Sequence, residues 1–304
     1  MRSDTVKRIA TECGFELAGV AAEPTADFGR FERWVERGMA GEMRYLTDRR
    51  AELRRDPRSL LPSACSIICV GKLYNTAPEV KDPAISRYAW GSRDYHDVLR
   101  EGLQQLVKRL LAIEQFEWKI CVDTAPLLER SYARQAGLGW IGKNTCLIHE
   151  PLGSWFFLAE VLTSLELEPD SPPPDRCGSC TRCIDACPTR ALIPNQDGST
   201  TLDSRRCISY LTIELRGPAP EDLRSGIGHH IFGCDICQDV CPWNSRAPVT
   251  NEPAFAPRDQ PPLGSLARMT EDEFRAYSRG TPLARPKYAG FRRNVEVALE
   301  NRGR

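Results

Sequence analysis

The chain has 304 residues, 41% of them apolar, with 41 lysines and arginines against 41 aspartates and glutamates. That length supports one large domain or two modest ones with a real core, and zero formal charge excludes a global attraction to nucleic acid, so any such attraction must be local. The opening MRSDTVKRIATECGF has no apolar core or cleavage pattern of a signal peptide, and no apolar run reaches the length of a membrane span, which predicts a cytoplasmic protein without membrane contact.

In chain order, SDTVKRIATECG predicts a capped helix stopped by Gly14, and FELAGVAA a short strand. SIICVGKLY (66–74) is rich in β-branched residues and predicts a buried strand. Leu99, Leu103, Leu106, Val107, Leu110 and Leu111 recur at helical spacing and predict a long amphipathic helix within 94–115. WKICVD (118–123) is a further strand, APLLERSYARQAG a helix ended by Gly137, and NTCLIH and SWFFLAEVL further strands. Alternation of this kind argues for an α/β domain over 1–165, a sheet covered by helices. The segment 166–176, ELEPDSPPPDR, reads as a Pro-rich linker. A cysteine-rich module fills 177–244, and 245–304 is a Pro-rich segment followed by a short basic helical C-terminus. The class expected overall is α+β or α/β.

Thirteen cysteines without an export signal point to reduced thiols rather than disulfides, and eight of them lie in 177–241. Cys69 and Cys121 fall in apolar runs and read as small buried hydrophobes. CGSCTRCIDACP (177–188) has the C-x2-C-x2-C-x3-C-P spacing of a bacterial ferredoxin, in which three cysteines on a tight loop reach one [4Fe–4S] cube and the fourth reaches a second. GCDICQDVCPWN repeats it with Ile231 in place of the first cysteine, and Cys207 is the one cysteine between the runs that can substitute. Cluster one therefore takes Cys177, Cys180, Cys183 and Cys241, and cluster two takes Cys187, Cys207, Cys234 and Cys237. Two structural zinc sites of four thiolates each are the competing reading.

Such a module needs no 165-residue partner merely to carry electrons, so its electrons are expected to serve something bound in the preceding domain. Asp123 closes the strand WKICVD and reads either as a proton donor facing a pocket or as the N-cap of the helix that follows. GLGWIGKN (137–144) lacks the spacing of a P-loop or a dinucleotide fingerprint, so neither ATP nor a nicotinamide is supported. His229–His230 and the DYH at 94–96 have no matching ligand set and receive no role.

Taken together, SRYAWGSRDYHDVLR, VDTAPLLERSYARQAGLGWIGKN, CGSCTRCIDACPTRAL, RRCISYL and GCDICQDVCPWN resemble epoxyqueuosine reductase, from near the N-terminus to about residue 298. The resemblance implies a cobalamin held base-off between the N-terminal domain and the cluster module, two [4Fe–4S] clusters, and reduction of the epoxide of epoxyqueuosine at the wobble position of tRNA. It makes Asp123 the proton donor, with a pKa raised by desolvation, and makes Arg54, Asp123, Leu147, Leu158, Ser209, Cys234 and Asp235 cofactor contacts, the last three of them beside cluster two. An external low-potential donor would supply electrons through cluster one, and the protein is taken as a monomer.

Local charge gives tRNA a foothold: 44–58 carries six arginines against three acids, and 285–304 six lysines and arginines against two. Many members of that family continue past RRNVEVALEN into further basic helical segments, which implies weaker tRNA anchoring here. A corrinoid reductive dehalogenase-like enzyme and a non-enzymatic electron carrier are the alternative readings.

Overall fold

A computed structural model describes residues 1–22, 24–76 and 84–303. Helix α1 (Ser3–Glu12) buries Val6, Ile9 and Ala10 and gives way at Gly14, φ +90°, to strand β1 (Leu17–Ala21). Helices α2 (Phe28–Glu36) and α3 (Arg50–Leu53) lead to strand β2 (Ser66–Leu73), buried almost throughout. Helix α4 (Tyr95–Leu111) begins where the Asp94 side chain accepts the His96 N–H, and buries Leu99, Leu103, Leu106, Val107 and Leu110. Strand β3 (Trp118–Cys121), helix α5 (Glu129–Gln135), the short strands β4 (Trp140–Ile141) and β5 (Leu147–Ile148), and strand β6 (Phe156–Thr163) complete the first part.

The sheet order is β1-β2-β6-β3 and every pairing in it is antiparallel. The alternation of helix and strand foreseen from the sequence is present, but it does not build a parallel sheet. Successive residues of β2 point to opposite faces. Ile68 and Val70 pack with α1 and α4, while Ile67 and Cys69 pack with Tyr132 and Ala133 of α5. The result is a sheet between two helical layers. Helix α5 starts at Glu129, four residues later than the apolar pattern suggested, because 122–128 forms a run of tight turns. Segment 166–176 is tied back to the sheet domain: Asp170 accepts hydrogen bonds from the Val20 N–H (2.9 Å) and Lys7 Nζ (2.8 Å).

Beyond it come helix α6 (Arg182–Asp185), strands β7 (Leu192–Pro194) and β8 (Thr200–Leu202), and helices α7 (Ile208–Ile213), α8 (Glu221–Ile227) and α9 (Ile236–Asp239). Helices α6 and α9, the equivalent elements of the two cysteine runs, lie against each other. Helices α10 (Leu263–Arg268), α11 (Glu271–Ser278) and α12 (Lys287–Arg302) close the chain. Val295 and Phe291 of α12 join Ile85, Trp90, Ile231 and Phe232 in one core cluster, so the C-terminal helix is packed on both preceding parts.

Candidate active site and cluster module

Strand β3 ends at Cys121, and Asp123 follows at φ +50° in a turn closed by a 2.5 Å hydrogen bond from the Thr124 N–H to the Val122 carbonyl. A positive φ at a residue with a Cβ is uncommon and must be held by its surroundings. The Asp123 side chain is 55% exposed, and its Oδ2 lies 3.1 Å from His96 Nε2; His96 Nδ1 lies 2.6 Å from Asp94 Oδ1. The ring stacks on Tyr95, which in turn stacks on Phe157 at 4.2 Å. Burial pushes the imidazole pKa down, but the hydrogen bonds to Asp123 and Asp94 outweigh it and hold it up at about 9. His96 therefore carries a proton through the neutral range.

Behind the turn, Glu129 Oε1 accepts the Asp123 N–H at 2.6 Å. Burial and then the Asp123 charge push Glu129 well above the usual carboxylate range. Glu160, on β6, faces Cys69 and Cys121 across the sheet; it is 0% exposed and neither carboxyl oxygen has a hydrogen-bond partner. Its burial, reinforced by the Glu129 charge, pushes its pKa well above the usual carboxylate range.

Two basic segments meet in front of Asp123. Arg285 lies over the Tyr45 ring at 5.4 Å and pairs with Glu214 at 3.1 Å, and both Tyr45 and Arg285 sense the Asp123 charge. Many of the other arginines counted in these segments face inward or are paired. Arg54 is buried and its Nη1 donates to the carbonyls of Tyr45 and Arg50. Arg293 donates to the carbonyls of Leu211, Leu215 and Gly217, and Arg292 to that of Ala267.

The cysteine runs come together in two sets. Electrostatically, Cys183 is surrounded by Cys177, Cys241 and Cys180, whereas Cys234 neighbours Cys207 and Cys187, and Cys237 neighbours Cys234 and Cys207. Cys241 thus stands with the first run and Cys187 with the second. Burial raises the free thiols, Cys183 to about 11 and Cys234 to about 12, so loading a metal there releases protons. Backbone N–H groups turn toward the sulfurs: Ala191 N–H to Cys187 (3.3 Å), Ile236 to Cys234, Trp243 to Cys241. Among the described residues no three Cys, His, Asp or Glu groups converge on one point, as a single ion would need. Eight soft donors in two sets, each with N–H support, fit two iron–sulfur cubes, whose irons take one thiolate each.

Sequence reasoning missed what binds this module to the sheet domain. Lys143, in the glycine-rich run left without a ligand, donates to the carbonyls of Gly178 (2.7 Å) and Cys180 (3.1 Å), while Asn144 reaches the Cys237 carbonyl (3.4 Å). Cys146 hydrogen-bonds Cys237. Asp235 is buried and accepts from the Ser86 hydroxyl and, at 2.6 Å, from the Arg87 N–H. Burial lifts its pKa to about 6 against those hydrogen bonds. Gly233, φ +71°, permits this contact, since a Cβ there would lie 2.5 Å from Ser86 Cβ. Nothing local in the sequence marks these pairings, which join residues about 35 to 150 positions apart.

Of the remaining residues foreseen as cofactor contacts, two belong to the sheet domain and one to the cysteine module. Leu158 is the one part-exposed position of β6, Leu147 is buried in the α5-facing core, and Ser209 is half-buried beside Cys207. A part-open apolar side chain in the middle of a central strand suits the flat face of a corrin ring.

Residues 176–244 match the family described as "4Fe-4S double cluster binding domain", and residues 54–124 match "Epoxyqueuosine reductase QueG, DUF1730". An epoxyqueuosine reductase from Xanthomonas campestris pv. campestris is 41% identical over 97% of this chain and 86% of its own length. Among solved structures, an epoxyqueuosine reductase with an epoxyqueuosine-modified tRNA-Tyr stem loop superposes with TM-score 0.85 at 32% identity, covering 98% of this chain and 80% of that one. The Bacillus subtilis epoxyqueuosine reductase, captured with its catalytic aspartate loop swung out of the active site, superposes at 0.86 with 31% identity over 98% and 81% of the two chains. By sequence along nearly its whole length and by fold, the chain belongs to the epoxyqueuosine reductase family.

Proposed function

We propose that this protein reduces the epoxide of epoxyqueuosine in tRNA to the alkene of queuosine, with Asp123 and His96 as its proton-handling groups. The reaction breaks both C–O bonds of the epoxide, forms a C=C bond, takes up two electrons and two protons, and releases water. The observation that carries the reading is the chain Asp94–His96–Asp123, a charged imidazole held between two carboxylates and ending at an exposed acid. A departing epoxide oxygen must be protonated as its bond breaks. His96 Nε2–H is aimed at Asp123 Oδ2, so a proton can pass from the imidazole by way of Asp123 to the substrate oxygen.

Cobalamin, which the family uses, would supply a strongly reducing centre able to place electrons on an epoxide carbon. Leu147, Leu158, Ser209, Cys234, Asp235 and Arg54 are the residues proposed to hold it. Asp235 already has both carboxyl oxygens engaged and Arg54 one arm of its guanidinium, so these two act chiefly by fixing the surrounding backbone. Cys177, Cys180, Cys183 and Cys241 are proposed to hold one cube, and Cys187, Cys207, Cys234 and Cys237 the other. The tRNA would enter over Tyr45 and Arg285, bringing a single modified base to Asp123. The Asp123 turn is proposed to move, like the swung-out loop of the Bacillus subtilis relative. No helix among the described residues is long and apolar enough to cross a membrane, in keeping with work on tRNA in the cytoplasm. An external low-potential donor and a monomeric state complete the reading.

The test is incubation of the iron- and cobalamin-loaded protein, chemically reduced, with an epoxyqueuosine stem loop, read by nucleoside mass spectrometry. Wild type should yield queuosine. Asp123→Asn should keep its iron and corrin spectra and lose turnover by about two orders of magnitude or more, the scale of a lost general acid. No product from fully loaded wild type would overturn the activity, and near-normal turnover by Asp123→Asn would overturn the role of Asp123.

A further inference from the structure

Asp123 occupies a backbone conformation that its own residue type disfavours. Its φ of +50° sits in a three-residue turn, a rare and strained form when the central φ is positive. His96 contacts only the end of the side chain, which is 55% exposed and cannot by itself set the backbone. The contact that does hold the backbone is the 2.6 Å hydrogen bond from the Asp123 N–H to Glu129 Oε1, made across six residues from the first position of α5. That helix is fixed: Tyr132 and Ala133 are 0% exposed in the core beneath the sheet. Glu129 enters no ion pair with the described residues, and the carboxyl group nearest it on the sheet, Glu160, is buried without a hydrogen-bond partner. A half-buried acid set beside a fully buried one is poor ion-pair material. One of them offering an oxygen to a strained amide has a use.

We propose that Glu129 is a positioning residue: its carboxyl oxygen latches the Asp123 turn inward by accepting the Asp123 N–H, so that the acid is presented to the substrate while α5 stays still. This rests on Asp123 acting as the acid of epoxide reduction. The latch needs an acceptor oxygen, not a charge. Glutamine at 129 keeps that oxygen at the same reach, and alanine removes it.

The experiment uses the loaded enzyme and two readouts. Hydrogen exchange, resolved to single amides, reports the latch without any turnover. Steady-state kinetics on the epoxyqueuosine stem loop report its consequence. In wild type the Asp123 amide should exchange slowly despite the exposure of its side chain. Glu129→Ala should speed that exchange and lower kcat about tenfold at unchanged KM and unchanged iron and corrin content, the scale of one hydrogen bond to a strained turn. Glu129→Gln should restore slow exchange and bring kcat back to within about threefold of wild type. Fast exchange at Asp123 in wild type overturns the latch even if Glu129→Ala fails to fold. Gln as damaging as Ala overturns it too, because the effect would then belong to charge. If Asp123→Asn keeps full turnover while the exchange pattern holds, the latch stands and the assignment of the acid fails.

Discussion

His96 lies between Asp94 and Asp123, and its position fixes the direction of a pH dependence. The imidazole is lifted from an ordinary 6.5 to about 9, so it carries its proton throughout the neutral range. Turnover of the stem loop should be level up to about pH 8 and fall as pH rises through about 9, with His96→Gln lowering the plateau and abolishing that limb. Stability follows the same sign. A histidine whose folded pKa exceeds its unfolded value contributes fully below pH 6.5 and loses that contribution as pH rises through about 9. A thermal melt series on wild type and His96→Gln would show the difference shrinking across that window, and a gap that widens with pH would contradict the pairing. Asp94 works in the opposite sense. Although burial raises it, its hydrogen bonds from His96 leave it below the ordinary carboxylate range, so its share is lost only as pH falls through that lowered value.

At the scale of elements, the glycine-rich turn between β4 and β5 acts as a clamp. Lys143 satisfies carbonyls in the loop that carries Cys177 and Cys180, and a lysine held by two carbonyls restrains both chains. Lys143→Met should leave the sheet domain folded but weaken the first cube, giving less iron per chain after brief exposure to air, measured against wild type by iron analysis. Equal retention would show that the clamp is dispensable. This element also shows what sequence could and could not supply. The periodicity of Leu99, Leu103, Leu106 and Leu110 is complete within one segment, and the helix it predicts is present. The cysteine spacing is likewise local, and Cys241 neighbours the first run's cysteines while Cys187 neighbours those of the second. The partners of Lys143 lie 35 and 37 residues away and are backbone carbonyls, which leave no mark in a sequence. His96 was passed over for the same reason: its second carboxylate is 27 residues downstream, delivered only because α4 packs beside β3. The late start of α5 escaped too, since the turns at 122–128 look apolar and helical by composition alone.

Across the whole molecule, the C-terminal helix acts as a brace. Asn294 of α12 is buried and donates to the carbonyls of Thr212 (2.7 Å) and Ile231 (2.8 Å), bridging α7 to the segment before the second cysteine run. Asn294→Ala leaves two buried carbonyls without donors and should cost about 1–3 kcal/mol in denaturant unfolding, with little change in the kcat of the molecules that remain folded. A loss confined to kcat would mean that the brace belongs to the active site instead. The Asp235 contact extends this coupling. Cys234, a proposed iron ligand, is followed at once by the carboxylate that grips Ser86 and Arg87, and Tyr88, next along, is half-buried where it senses the Asp123 charge. Iron that anchors Cys234 would therefore steady Ser86 and Arg87 as well, and with them the wall beside Asp123.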